Sequence, residues 1–449
     1  MDKGIRRFFA LLLLFAFLFG SAGASGLTEL RDTFFAESFS AKEMTLTAEI
    51  LKRPELSVER AESLNRLMKH IVFRIRTDGS VLEISLEADG IPGPSVTVFE
   101  EDGKTLYAFS ADPDHLFCYP EGKSFFSDPS TDMLERIGEC EQVILLLDEF
   151  YSCFSRMYLD NAQTASRSKI QTKFRDYGTA VQRSALSFTD EAFRELTGRL
   201  NEGETDWPRA AGFLSGFVFS GRQRFTFLAD ENNRLMKVNY TGVAGESEDH
   251  LRNVNLDWKC LRGDVSLSDT LTLTTPVTRG SDRDNYTVRR EWSFAPDAPE
   301  RLECHIEKDR VRERVRMRTQ TDILLESEQE NVTGSITESV ISGSEKSSSA
   351  VSLSICQEGP EEYKGTLEFT HELDKIETEH LRFVFSVSSC DPLPVSRREI
   401  ITAEGDAEKT LTDRMSAELL RMLIHLPPED LDYLLKDLPA TATDLILAD

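Results

Sequence analysis

Five arginines stand at every second position, Arg310, Arg312, Arg314, Arg316 and Arg318. On one strand they would share a face and extend over roughly 27 Å. Such a basic stripe suits an anionic ligand, a phospholipid headgroup or a cell-wall polyanion. The adjoining sequence offers a second use for the same charges. A turn at Lys308-Asp309 would pair Glu307 with Arg310, His305 with Arg312 and Glu303 with Arg314. It would also set Ile306 against Val311 and Leu302 against Val315, and Asp322, Glu326, Glu328 and Glu330 add acid in the same phase. Internal neutralisation is the expectation, each pair contributing at most about 1 kcal/mol.

His371 and His380 flank Glu372, Asp374, Glu377 and Glu379, donor types that hold divalent cations. Strand phase separates them. Leu367, Phe369 and Leu373 share a face with His371, while Leu381, Phe383 and Phe385 lie on the face opposite to His380. If both apolar sets face one core, the imidazoles point to opposite sides of the sheet.

Shorter matches lack their partners. Ser166-Arg167-Ser168-Lys169 has the spacing of an acylating serine and lysine, but neither S-D-N nor K-T-G follows. Gly122-Lys123-Ser124 ends like a phosphate loop, with Phe117 where glycine is required. Arg262-Gly263-Asp264 is an adhesion tripeptide or, more simply, a tight turn. Asn239, Asn285 and Asn331 open glycosylation sequons. Asp282, Asp284 and Asn285 form a fragment of a calcium loop without its glycine. The seven cysteines, at 118, 140, 153, 260, 304, 356 and 390, show no C-x-x-C spacing and read as buried small hydrophobes rather than a disulfide framework. No catalytic, cofactor or metal residue is assigned, and a non-enzyme is expected.

The chain that must position these residues has 449 residues, 78 acidic and 52 basic, a formal charge of −26. With 40% apolar residues it can build substantial cores, and its acidity disfavours nucleic acid as a partner. Lys3, Arg6 and Arg7 precede an apolar run from Phe8 to Phe19 and the small residues Ala22-Gly23-Ala24. This pattern predicts a signal peptide over 1–24, cleaved between Ala24 and Ser25. The run makes a helix of roughly 18 Å, short of a bilayer core of about 30 Å. Cleavage leaves a mature charge of −28 without a further span, hence a secreted or extracytoplasmic protein. Leu438-Pro439-Ala440-Thr441-Ala442 lacks the hydrophobic tail of a sorting signal, and Pro439 reads as a helix stop.

A short helix is expected over Leu27–Phe39, a strand over Met44–Leu51 and a Ser57-capped helix to about His70. Asp78-Gly79 then predicts a hairpin pairing Ile75 with Leu82, Phe73 with Ile84, Ile71 with Leu86 and Arg74 with Glu83. Asp102-Gly103 predicts a second, with Phe99 on Leu106 and Val98 on Tyr107. Leu134, Ile137, Val143, Ile144, Leu147, Phe150 and Phe154 recur at helical spacing within Asp132–Asp160. Strands around 168–187, a helix near Asp190–Leu200 and another after Trp207-Pro208 follow. From Arg222 to Ile400 strands succeed one another on short turns, an antiparallel meander in its simplest form. Leu411, Met415, Leu419 and Leu423 line a closing helix, and Pro427-Pro428 begins a last one.

The expected fold class is α+β, long antiparallel meander sheets covered by helices, with two related half-barrel-like units in tandem. The expected divisions are 1–24, a helix and hairpin unit at 25–130, a long helix and large meander at 131–405, and a helical segment at 406–449. In element order the chain resembles the half-barrel carriers of lipids and lipoproteins in bacterial envelopes. That resemblance implies a non-catalytic envelope protein binding an apolar or lipid-like ligand between sheet and helices. The sheet-facing Phe225, Phe227, Phe383 and Phe385 are its candidate lining, although ordinary helix-on-sheet core is the commoner use of such alternating aromatics. The alternative is a structural or protein-interaction module with filled cores and no ligand.

Overall fold

The computed structural model describes residues 42–53, 57–77, 81–101, 104–119, 132–161, 165–193, 195, 208–245, 247–275, 283–295, 298–312, 315–328, 331–359, 362–391, 393 and 398–431. The leader with its cleavage site, the Leu27–Phe39 helix, the Gly122-Lys123-Ser124 match and the segment around Pro439 lie outside them.

Strands dominate. In chain order they are β1 Lys42–Lys52, β2 Ile71–Thr77, β3 Val81–Ala88, β4 Ile91–Glu101, β5 Lys104–Phe109, β6 Asp112–Cys118, β7 Ser166–Lys173, β8 Thr179–Phe188, β9 Val218–Ala229 and β10 Leu235–Gly245. There follow β11 Arg252–Arg262, β12 Ser266–Thr275, β13 Arg283–Ser293, β14 Glu300–Arg312, β15 Val315–Glu328, β16 Asn331–Ser342, β17 Glu345–Gly359, β18 Glu362–Leu373, β19 Ile376–Ser389 and β20 Glu399–Thr402. The helices with both ends described are α1 Val58–Met68, α2 Asp132–Asp160, α3 Pro208–Ser215 and α4 Asp406–Leu423, and helix also begins at Asp190 and at Pro428.

The expected helix-covered α+β fold does not form. The structure is mostly one 20-stranded sheet. Its described ladders run antiparallel, except that β6 and β20 pair in parallel. Among the described residues α1 packs on β1 and β2, and α4 on β3 and β4. Side chains of α2 reach β8, β9, β11 and β13. The later strands explain why no general cover is needed. β16 (NVTGSITESVIS) buries only Val332 and Glu338, so it presents little apolar area for a helix to hide.

Two compact units divide the chain, one of residues 1–135, 351–371 and 377–449, the other of 136–350 and 372–376. In the first, β1 lies between β2 and β19, and the ladder continues through β3, β4, β5 and β6 to β20. A row of buried side chains crosses it, Phe385 opposite Leu46 and Leu46 opposite Phe73, ending on half-buried Leu86 opposite Phe73. Gly365 is required beside this row, because a Cβ there would collide with the Phe385 ring. Ser57 caps α1 by accepting from the Arg60 amide. Asn65 of α1 clasps the Ile50 backbone, accepting from its N–H at 2.7 Å and donating to its carbonyl at 2.6 Å. That clasp falls where the β1–β19 register shifts. Arg414 and Glu418 tie α4 to Asp112 and Ser110.

The second unit carries a consecutive antiparallel meander from β7 to β16. Its core lies under α2, whose described apolar face comprises Ile144, Leu145, Leu147, Phe150, Cys153, Met157 and Tyr158.

The two predicted hairpin registers fare differently. Phe99 does face Leu106, and Val98 faces Tyr107. Between β2 and β3 the pairs are instead Ile75 with Ile84, Phe73 with Leu86 and Arg76 with Glu83, two residues out of step. The last described pair is Thr77 with Leu82, where the two-residue turn would have set Ile75 against Leu82. A shift of two keeps every side chain on its face, so alternation alone cannot detect it.

Candidate functional site

Three strand residues break the apolar pattern of the second unit. Asp269 of β12 shares a phase with Leu267, Leu271 and Leu273, Arg290 of β13 with Val288, and Arg262 of β11 with Trp258 and Cys260. The ladder sets them side by side: Cys260 opposite Asp269, Asp269 opposite Arg290, and Arg290 opposite Cys304. Helix α2 lays Asp148 above them, one turn after Ile144.

The side chains of Arg290 and Asp269 are both 0% exposed. All five guanidinium donations of Arg290 find acceptors. Nε and Nη2 donate to Asp269 Oδ2 at 2.9 and 2.6 Å. Nη1 and Nη2 donate to the Asp148 carboxylate at 2.9 and 2.6 Å, and Nη1 also reaches the Ile144 carbonyl at 3.3 Å. The other oxygen of Asp269 accepts from Trp258 Nε1 at 3.0 Å and from Arg262 at 2.9 Å. Arg262 lies 4.4 Å over the Tyr151 ring and 3.6 Å from Asp148. Two cations thus meet two anions, and a charge set that would be prohibitive unpaired is neutral and hydrogen-bonded.

The arrangement offers little reactivity. Burial opposes charge on Arg290, but Asp269 and Asp148 overcome it and hold the guanidinium ionised, well above its ordinary range. Burial, reinforced by Asp269, pushes the neighbouring Cys260 thiol far up, so it is no thiolate nucleophile at neutral pH. Burial, chiefly, also raises the Tyr151 phenol. Each charged group already serves a partner within the cluster, which locks α2 to β11, β12 and β13.

Aromatic rings fill the adjoining space between helix and sheet. Phe225, 4% exposed, lies 5.9 Å from Phe154, 5.9 Å from Phe188, 5.8 Å from Phe193 and 4.9 Å from Tyr240, centroid to centroid. Phe227, fully buried, stacks on Phe225 at 6.0 Å and meets Tyr158 at 5.9 Å. Phe154 also touches Trp258. In the first unit Phe383 and Phe385 are likewise buried. All four candidate lining rings occupy buried core positions, the commoner use of alternating aromatics.

The arginine row is divided. β14 continues through Arg312, which lies opposite Val315 of β15, so the strand does not turn back at Lys308-Asp309. Arg310 then pairs with Met317, and Arg318 with Asp309, so Arg310 faces away from Arg316 and Arg318. The charges are neutralised by other partners than expected: Arg316 grips Asp309 through two bonds of 2.8 and 2.9 Å, and Arg318 donates to Glu307 at 2.7 Å. Arg310 lies 4.0 Å from Asp284. Hydrogen bonding from Arg318 lowers the Glu307 carboxyl below the usual range. Arg314 lies outside the described residues.

His380 contacts Glu368 and Glu377 at 3.7 and 3.4 Å. Glu368 is on the opposite strand face from His371, so the two histidines do not converge. Arg262-Gly263-Asp264 is a turn closed by the Gly263 amide on Ser266, with Arg262 turned into the buried cluster. Ser166 and Lys169 stand on exposed strand β7, and Asn239 donates to Asp257. Cys153, Cys260 and Cys304 are buried, Cys118 and Cys390 partly so, and Cys356 is exposed; all six are free thiols. Sequence reasoning passed over Asp148, Asp269 and Arg290. The available signal was one charged residue in the leucine phase of a strand, answered by an opposite charge one strand later.

The sequence matches no protein-family model and no curated protein. Solved structures that overlay on it include a loop-deletion form of OmpT, an outer membrane protein of Vibrio cholerae, at TM-score 0.22 and 6% identity, covering 78% of this chain and 97% of that one. Pseudomonas aeruginosa OccK3 follows at TM-score 0.21 and 7% identity, covering 78% and 94%. Superposition scores this low establish neither a shared fold nor a shared function.

Proposed function

We propose that this chain is a non-catalytic extracytoplasmic protein, a structural or interaction module with filled cores that carries no lipid between helix and sheet. One observation supports the reading above others. In the unit of residues 136–350 the space beneath α2 is occupied by Phe154, Tyr158, Phe225, Phe227 and Trp258 and closed by the Arg290–Asp269–Asp148 network. A ligand there would have to displace rings, each contributing about 1.5–3 kcal/mol by burial, and unpair a buried charge. The basic n-region and small-residue cleavage pattern support export, with mature protein beginning at Ser25.

Native mass spectrometry of protein purified from the secreting host tests both parts. The expected spectrum is one polypeptide mass that starts at Ser25 and has no adduct. A stoichiometric lipid adduct would overturn the filled-core reading, and a retained leader would overturn the export reading.

A further inference from the structure

Strand β7 has an unusual character for this molecule. Among the described residues it pairs only with β8, leaving its other edge without a ladder. Seven of its eight residues are exposed, Ile170 alone packing inward beside Ala180, Met236 and Leu261. In a chain of charge −26, the β7–β8 hairpin concentrates Arg167, Lys169, Lys173, Arg175 and Arg183 against the single acid Asp176. None of these five cations forms an ion pair among the described residues. Arg167 and Lys169 lie opposite Ser184 and Gln182 on one face, whereas Arg183, Lys173 past the register shift at 169–172, and Arg224 of β9 share the other, so both faces of this edge are basic.

We propose that β7 is a docking edge for an extended acidic segment of a partner protein, which adds as a further strand. The main chain of β7 would supply ladder hydrogen bonds, and alternate acidic side chains would meet Arg167 and Lys169 on one face, with Lys173 adding positive charge from the other. A second copy of this chain is the poorer occupant, since β7 against β7 sets lysine and arginine against one another. Basic residues on an edge commonly prevent self-pairing, and the same charges select an acidic strand. This inference rests on the interaction-module reading and names its surface.

The test uses the full mature chain and two fluorescein-labelled peptides of about eight residues, one alternating glutamate with valine and the other lysine with valine. Anisotropy is read at low and high salt, and deuterium uptake is followed across 166–173. The glutamate peptide is expected to bind at low salt, weaken with salt and slow exchange in β7. The Lys169→Glu/Lys173→Glu double variant, altered only at exposed positions, should weaken binding at least about tenfold. Equal binding of both peptides, no binding, or protection elsewhere than β7 would overturn the proposal. So would a chain that self-associates through β7. A lipid adduct in the native mass spectrum would instead defeat the filled-core reading and leave the peptide result standing.

Discussion

The second unit contains two sets of paired arginines that differ in what surrounds them. On β14 and β15, Arg316 and Arg318 reach Asp309 and Glu307 across a solvent-facing ladder, with the two arginine side chains 56% and 35% exposed. Under α2, Arg290 and Asp269 meet with no exposure at all. The first set is conspicuous in sequence and energetically the lesser, because its arginines stay open to water even where, as at Asp309, the carboxylate is buried. The second is built from single charges dispersed over 142 positions of sequence, yet it joins a helix to three strands. Spacing advertises charge, and burial gives it consequence.

The contrast is sharpest for Arg290→Met. Removing the guanidinium leaves Asp269 buried with only Arg262 and Trp258, and a loss of about 3–5 kcal/mol is expected in urea unfolding. Trp258→Phe removes one donor from the same carboxylate and should cost about 1–3 kcal/mol. Arg318→Ala, breaking a half-buried pair that water still reaches, should cost about 1 kcal/mol. A value for Arg318→Ala equal to that for Arg290→Met would break the comparison.

Acid should separate the sets further. The Glu307 carboxyl is lowered in the folded state by hydrogen bonding from Arg318, so its contribution is present above the unfolded glutamate pKa, about 4.3. It is lost as pH falls through the folded value. Glu307→Gln should therefore lie slightly below wild type in stability at pH 7 and converge with it in strong acid. An unchanged gap between the two proteins at low pH would show that Glu307 acts through packing instead. Thiol labelling at pH 8 is the mildest probe. Exposed Cys356 should react first, while Cys153, pushed up to about 11 by burial, and Cys260 stay unreacted until the unit opens. Early labelling of Cys260 would mean that the space under α2 is open.

Local signals in the sequence carried as far as local physics reaches. Ser57 capping, the span of α2 and the β4–β5 register follow from residues close together in the chain. The β2–β3 register did not, because alternation is blind to a shift of two. Nothing near β1 announces that it enters between β2 and β19, where Thr45 meets Ser386 across 341 positions. The arginine row misled because β14 ends at Arg312 opposite Val315, so the row spans two strands of opposite phase while its every-second spacing continues unchanged. The charged cluster was legible in principle, as Asp269 in a leucine phase, but its partners become neighbours only once β11, β12 and β13 align.

A double-mutant cycle on Arg290→Met and Asp269→Asn tests most directly whether these buried charges act as one closure of α2 on the sheet. The account predicts a coupling energy of about 2 kcal/mol or more. Additivity within about 0.5 kcal/mol, the behaviour of independent or solvent-exposed groups, would contradict it.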